Sequence, residues 1–257
     1  MSSYNVKPKQ SLGQNFLVDQ NIAENIIDAI GPQKDDYVIE IGPGYGILTR
    51  ELLKRTDHLT AVEIDRRLSE KIETEFEFGD HFRLIHKDFL KVDLEELAAG
   101  NKLRVLGNVP YNITSPIMFK VLESRSVVHD LTMLIQTEVA NRVVAEPNCK
   151  DYGILAVVSQ AYADCKKLLN VPRTVFHPKP KIESTLINWT FTDERSKRIK
   201  DHELFRTVVR KAFGQRRKML RKSLKEILAD KEISFDETLR PEHLSVEDWI
   251  TFTNELA

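Results

Sequence analysis

Short apolar runs alternate with helix-like segments from Tyr37 onward. Tyr37 to Ile41, Leu59 to Ile64, Phe82 to His86, Leu103 to Gly107 and Leu131 to Gln136 have strand length and are β-branched or apolar. Helical patterns fit between them, as over Ile47 to Arg55 and Arg66 to Phe78. This alternation predicts an α/β fold of stacked βαβ units around a mostly parallel sheet. Ala163 to Val171 and Ile182 to Phe191, joined by a proline-rich connection, are expected to add antiparallel strands. After Thr192 the pattern changes. Glycine becomes scarce, β-branched runs end, and Leu204, Val208, Ala212 and then Leu220, Leu224, Ile227, Leu228 follow helical spacing. A small helical domain is therefore expected at 195–257, behind a larger one at 1–194. Pro241, Ser245 and the run Val246 to Phe252 read as a turn and a last, capped helix.

Composition narrows the class. The chain has 257 residues, 41% apolar and 30% charged, which suits a folded domain with an appendage and excludes wholesale disorder. No apolar run has bilayer length, and Met1, Ser2, Ser3, Tyr4, Lys7 and Lys9 do not open a secretory signal, so a cytoplasmic location is expected. Cys149 and Cys165 alone make neither a disulfide framework nor a four-cysteine metal site. The net charge of −1 conceals a basic block. Between Ser196 and Lys225, twelve lysines and arginines, among them Arg210, Lys211, Arg217, Lys218 and Arg221, face only Asp201 and Glu203. Such clustering fits a phosphate-backbone partner, and equally a solvated face with local salt bridges, for example to Glu226. On a continuous helix Arg210, Arg217 and Arg221 would share one face, with Phe213 and Leu220 turned inward.

The first strand runs into Glu40, Ile41, Gly42, Pro43, Gly44, Tyr45, Gly46. Glycines here let the backbone approach a ligand at the first crossover of a doubly wound sheet. A dinucleotide fingerprint needs a third glycine at position 47, which is Ile47. The G-x-G-x-G spacing is instead the form favoured by S-adenosylmethionine enzymes, although a glycine cluster after a strand also makes a plain turn. Glu63 ends the second strand, where a carboxylate can accept both ribose hydroxyls. Asp88 follows the third strand, as an acceptor for an adenine amino group or as a helix N-cap.

Asn108, Val109, Pro110 and Tyr111 follow the fourth strand, near the same crevice. An amine on adenine is a poor nucleophile because its lone pair is delocalised into the ring. Two acceptors aimed at its protons favour the reactive form, and the Asn108 side-chain oxygen and Val109 carbonyl are the candidates. Pro110 fixes the turn, and Tyr111 offers a face for an extracted base. In isolation the tetrapeptide also reads as an ordinary turn.

In order and spacing, Gln14, Asn15, Phe16, Leu17, the glycine loop, Glu63, Asp88, the Asn108 to Tyr111 tetrapeptide and Phe176 to Lys181 resemble the ribosomal RNA adenine dimethyltransferase family. Phe205 to Leu224 is similar to its bacterial small-subunit branch, the kasugamycin-sensitivity methyltransferases. The resemblance implies a Rossmann-like class I methyltransferase sheet with a helical C-terminal domain. It implies that S-adenosyl-L-methionine is held by Asn15, Leu17, Gly42, Gly44, Glu63, Asp88 and Asn108, without a metal. Asn108, Pro110, Tyr111 and Phe176 would serve catalysis, with Phe176 stacking on the target adenine. Read without the resemblance, Phe176 is equally a packing residue. Arg210, Arg217, Lys218 and Arg221 would bind small-subunit rRNA in an assembling particle, the protein acting as a monomer. Val109 stands where the family usually has Leu or Ile, and only its carbonyl is needed. Two rivals are a macrolide-resistance methyltransferase acting on large-subunit RNA, and an assembly or transcription factor that has lost methyl transfer.

Overall fold

The computed structural model describes residues 7–9, 13–229 and 233–257; Met1 to Tyr4, used above, lie outside them. In chain order the elements are β1 (Phe16–Leu17), α1 (Gln20–Ile30), β2 (Tyr37–Ile41), α2 (Ile47–Leu52), β3 (His58–Glu63), α3 (Arg66–Glu75), β4 (Phe82–His86), α4 (Leu94–Ala98), β5 (Leu103–Gly107) and α5 (Thr114–Glu123). There follow β6 (Val128–Gln136), α6 (Thr137–Val143), α7 (Ile154–Tyr162), β7 (Ala163–Val171), β8 (Phe176–His177), β9 (Ser184–Phe191), α8 (Asp193–Lys197) and α9 (His202–Gly214). The chain ends with α10 (Leu220–Ser223), α11 (Lys225–Leu228) and α12 (Val246–Leu256).

The described residues form a seven-stranded sheet of order β4-β3-β2-β5-β6-β9-β7. Pairings β2·β3, β3·β4, β2·β5 and β5·β6 are parallel, as the alternating pattern predicts. The chain runs outward from β2 to β4 and then returns to the other flank of β2 as β5. That reversal opens a crevice beyond the carboxyl ends of β2 and β5. The strands flanking it are buried on both faces through Val38, Ile39, Ile41, Val105 and Leu106, which is why they read as unbroken apolar runs.

Compact packing divides the chain into residues 1–137 with 167–188, and residues 138–166 with 189–257. This differs from a single cut at 194/195. The second unit takes in α7, whose Tyr162 ring meets Phe205 edge-on at 5.9 Å. Phe205, Trp249 and Phe252 are fully buried there. An apolar helix among strand-like segments carries no local mark of its partner helices. The expected last helix is present as α12, with a reciprocal cap between Ser245 and Asp248.

Three helices are shorter than expected, α2 stopping at Leu52 rather than Arg55, and a helix precedes the first expected strand. α1 precedes the first element of the sequence pattern; Asp19 caps its start, left-handed Gly31 ends it, and Ala23, Ile26, Ile27 and Ile30 form its buried stripe. α3 stops at Glu75 because Phe76 turns to extended backbone, and its ring lies where a Cβ on Gly46 would be. The continuous basic helix is not formed. α9 ends at Gly214, and the amides of Leu220 and Arg221 donate to the carbonyls of Leu239 and Glu237, partners that replace helical ones. Arg210 therefore stands on α9, Arg217 and Lys218 in the turn, and Arg221 on α10, all exposed.

Candidate active site

Within the first unit, a cavity of about 230 Å³ lies at the crevice, and its walls come from five separate chain segments. Asn15 and Leu17 line it from the N-terminal segment, Gly42 and Gly44 from the glycine loop, Glu63 from the end of β3, Asp88 from beyond β4, and Asn108 and Pro110 from beyond β5. The eight residues expected to hold or adjoin the cofactor are thus gathered on one wall system. Tyr111 and Phe176 are not among the lining residues.

The loop glycines are required by geometry at two points. Gly42, Gly44 and Gly46 all have positive φ, which side chains rarely adopt. A Cβ on Gly44 would stand 2.9 Å from the Phe16 ring, and one on Gly46 2.6 Å from that of Phe76. The loop is pressed between two aromatic rings.

Glu63 is buried, and both of its oxygens are used locally. Oε2 accepts the Gly44 amide at 3.3 Å and Oε1 the Asp65 amide at 2.8 Å. Burial raises its pKa, opposed by these two hydrogen bonds. Each carboxylate oxygen can accept a second donor, so the bonds aim the group without exhausting it. Asp88 Oδ1 accepts the Leu90 amide at 3.0 Å, capping a short 3₁₀ turn over Phe89–Lys91. The cap and a cavity-lining position coexist in this one side chain.

The tetrapeptide after β5 begins with half-buried Asn108, buried Val109 and half-buried Pro110, then enters a 3₁₀ turn at Tyr111. The Tyr111 hydroxyl pairs with Ser184 Oγ, and burial raises its pKa. Phe176 differs from its expected stacking role. It is 4% exposed and packs with Leu17, Val175 and Leu186. The cause is an antiparallel two-residue ladder that pairs Phe16 with His177 and Leu17 with Phe176, turning the ring into the core. Burial supports the packing reading that the sequence left open.

Several lining residues escaped the motif reading. Glu40 is 1% exposed, receives the Thr49 hydroxyl at 2.6 Å, and has its pKa raised to about 7 by burial, with Glu63 nearby adding to the rise. Its signal was present: a carboxylate inside an apolar strand directly before the glycine loop. Ile64 and Leu90 are exposed apolar side chains on the cavity wall, suited to the faces of a flat heterocycle. In the second unit, Arg216 spends its guanidinium on Glu242 at 2.6 Å and on the carbonyls of Lys150 and Cys149. Lys211 pairs with Glu226 at 2.8 Å. These cations are tied into the fold, whereas among the described residues Arg217 and Lys218 have no ion-pair or side-chain hydrogen-bond partner.

Comparison with known proteins agrees with this geometry. The family model described as ribosomal RNA adenine dimethylase matches residues 5–257. Ribosomal RNA small subunit methyltransferase A of Chlorobium phaeobacteroides (strain BS1) is 45% identical over 96% of this chain and 93% of its own. The protein of that name from Francisella tularensis subsp. novicida (strain U112) is 38% identical over 99% of both. Among solved structures, a dimethyladenosine transferase from Plasmodium falciparum aligns with TM-score 0.78 at 21% identity, covering 92% of this chain and 95% of that one. The 23S rRNA methyltransferase ErmE aligns with TM-score 0.66 at 25% identity, covering 94% and 99%. With the family model spanning nearly its whole length and full-length relatives at this identity, the chain belongs to the ribosomal RNA adenine dimethylase family.

Proposed function

We propose that this protein transfers methyl groups from S-adenosyl-L-methionine to the 6-amino groups of two adjacent adenines near the 3′ end of small-subunit (16S) rRNA. It gives dimethyladenosines during ribosome biogenesis, working as a cytoplasmic monomer. The observation that carries this reading is the convergence of Gly42, Gly44, Glu63, Asp88 and Asn108 on one cavity at the crevice. No helix among the described residues is long and apolar enough to cross a membrane.

The residues fit the donor. Left-handed Gly42 and Gly44 bring bare backbone to the cavity, Glu63 accepts ribose hydroxyls with its remaining lone pairs, and Asp88 accepts the adenine amino group. Asn15 and Leu17 close the wall from the N-terminal side. When bound, S-adenosylmethionine supplies an electrophilic methyl group on a sulfonium. Asn108 Oδ1 and the Val109 carbonyl accept the two N–H bonds of the target amine, which localises its lone pair on nitrogen. Pro110 holds these acceptors in place, and the Tyr111 ring stacks on the unstacked base. Phe176 supports the site from within the core. Arg210, Arg217, Lys218 and Arg221 contact rRNA phosphates as an exposed patch.

The curated relatives, at 38% identity and above, are named for the small subunit, which supports that target. The likeness to ErmE, named for 23S rRNA, favours a large-subunit target as the second reading. The test is incubation with methyl-labelled cofactor and undermethylated small subunits, followed by primer extension. Label in two adjacent adenines of the small-subunit RNA is expected. Label confined to large-subunit RNA supports the second reading, and absence of label in either makes the protein an assembly factor.

A further inference from the structure

Asp65 has no part in the chemistry above, yet its buried carboxylate gathers more donors than any local need explains. Oδ1 accepts from Lys9 Nζ at 3.3 Å, and from the amide and Nε of Arg67 at 3.2 and 3.0 Å. Oδ2 accepts from Gln14 Nε2 at 3.2 Å and Arg67 Nη2 at 2.6 Å. Capping α3 requires only the Arg67 amide. Lys9 and Gln14 come from more than fifty residues upstream. Gln14 is itself braced, since its Oε1 accepts the Lys9 amide at 2.8 Å. Hydrogen bonds from Arg67, followed by those of Gln14 and Lys9, hold the carboxyl far below the usual carboxylate range.

Gln14, Asn15, Phe16 and Leu17 all line the cavity. The Phe16 ring lies 4.2 Å from that of Tyr45 and against the Gly44 backbone. Three consecutive residues thus divide the labour: Glu63 and Ile64 line the cavity, while Asp65 reaches for the N-terminal segment that forms another of its walls.

We propose that Asp65 is a positioning residue that fastens residues 14–17 against the methyl-donor cavity. Its charge governs how tightly the cofactor is held, not how fast the methyl group moves. The cofactor half of this inference rests on the reading of the cavity as the S-adenosylmethionine site.

Asp65→Asn is the informative variant, because asparagine keeps the helix cap and the shape but loses the charge. Calorimetric titration with S-adenosylmethionine is expected to show affinity about tenfold weaker, the effect of losing charged hydrogen bonds. Turnover at saturating cofactor is expected within about twofold of the original. In the cofactor-free protein, amide exchange over residues 14–17 is expected to quicken about tenfold while that of α3 stays unchanged. Lys9→Ala alters a lysine whose side chain is 45% exposed, so it does not threaten folding; it is expected to quicken exchange in the same segment to a smaller extent. Unchanged exchange over 14–17 in both variants overturns the fastening role, as does lower turnover with unchanged affinity. If the unaltered protein does not bind S-adenosylmethionine, the cavity reading and the cofactor half fall together, and exchange still decides whether Asp65 fastens the segment.

Discussion

The Tyr111 hydroxyl lies 2.8 Å from Ser184 Oγ, joining the loop after β5 to the first residue of β9. Ser184 is fully buried, so the bond fixes the tyrosine from its far end and leaves the ring faces to be set by the turn at Pro110. Ser184→Ala strands a hydroxyl at a cost of about 1–3 kcal/mol. Single-turnover methyl transfer is expected to slow on the order of tenfold with cofactor affinity unchanged. A normal single-turnover rate would remove Ser184 from the positioning of Tyr111.

Gly44→Ala places a Cβ 2.9 Å from the Phe16 ring on a backbone with φ of 59°. Strain and overlap together are expected to destabilise the fold by about 1–3 kcal/mol and to abolish measurable cofactor binding. Thermal unfolding and calorimetry check the two effects separately; binding that survives in a stable variant would mean the loop is not the cradle.

Glu40 gives the stability of the protein a pH dependence. Its pKa is about 7 in the fold against 4.5 as the ordinary value, so between these limits the folded state keeps a proton that the unfolded chain releases. Stability from this group is present below pH 4.5 and is lost as pH rises through about 7. The full effect is on the order of 3–4 kcal/mol. Glu40→Gln, which can still accept from Thr49, is expected to flatten that part of the profile and gain stability relative to the unaltered chain above pH 7. Parallel urea-unfolding profiles in the two proteins would disprove the assignment.

The arginines of the basic block are expected to separate by experiment. Arg216→Ala leaves Glu242 and two carbonyls without their donor, and is expected to lower the thermal stability of the second unit by about 1–3 kcal/mol. Reversing charge at Arg217 and Arg221 together is expected to leave stability intact, weaken particle binding, and reduce the salt slope by about one unit per lost phosphate contact. An unchanged slope in the double variant would assign those residues to a solvated face.

What could be read from the residues followed the physics of each signal. The strands flanking the crevice were legible because burial on both faces writes an apolar run, and Gly42, Glu63, Asp88 and Asn108 were legible because each sits just beyond such a run. The end of α9 was not. The residues after Gly214 keep helical spacing, yet the amides of Gln215 and Lys218 close tight turns, and those of Leu220 and Arg221 go to the carbonyls of Leu239 and Glu237, distant in sequence. Phe176 was ambiguous for the same reason, since its burial depends on pairing with Leu17. Asp65 had a local signal, an acid directly before a helix with Arg67 two residues on, but Lys9 and Gln14, its two distant donors, lie in a segment that no local window contains.

The ladder that joins Phe16 to His177 and Leu17 to Phe176 also imposes an order on biosynthesis. Its two strands are about 160 residues apart along the chain, a separation that makes their contact among the slowest to form. During synthesis, residues 14–17 emerge early and wait without their partner while β2 to β6 assemble, a process that runs from the N-terminus at about 5–20 residues per second. The wall they contribute gains its ladder only after β8 has left the ribosome, so in a nascent chain stalled before residue 176 the segment has only its contacts to Asp65 and Tyr45 to hold it.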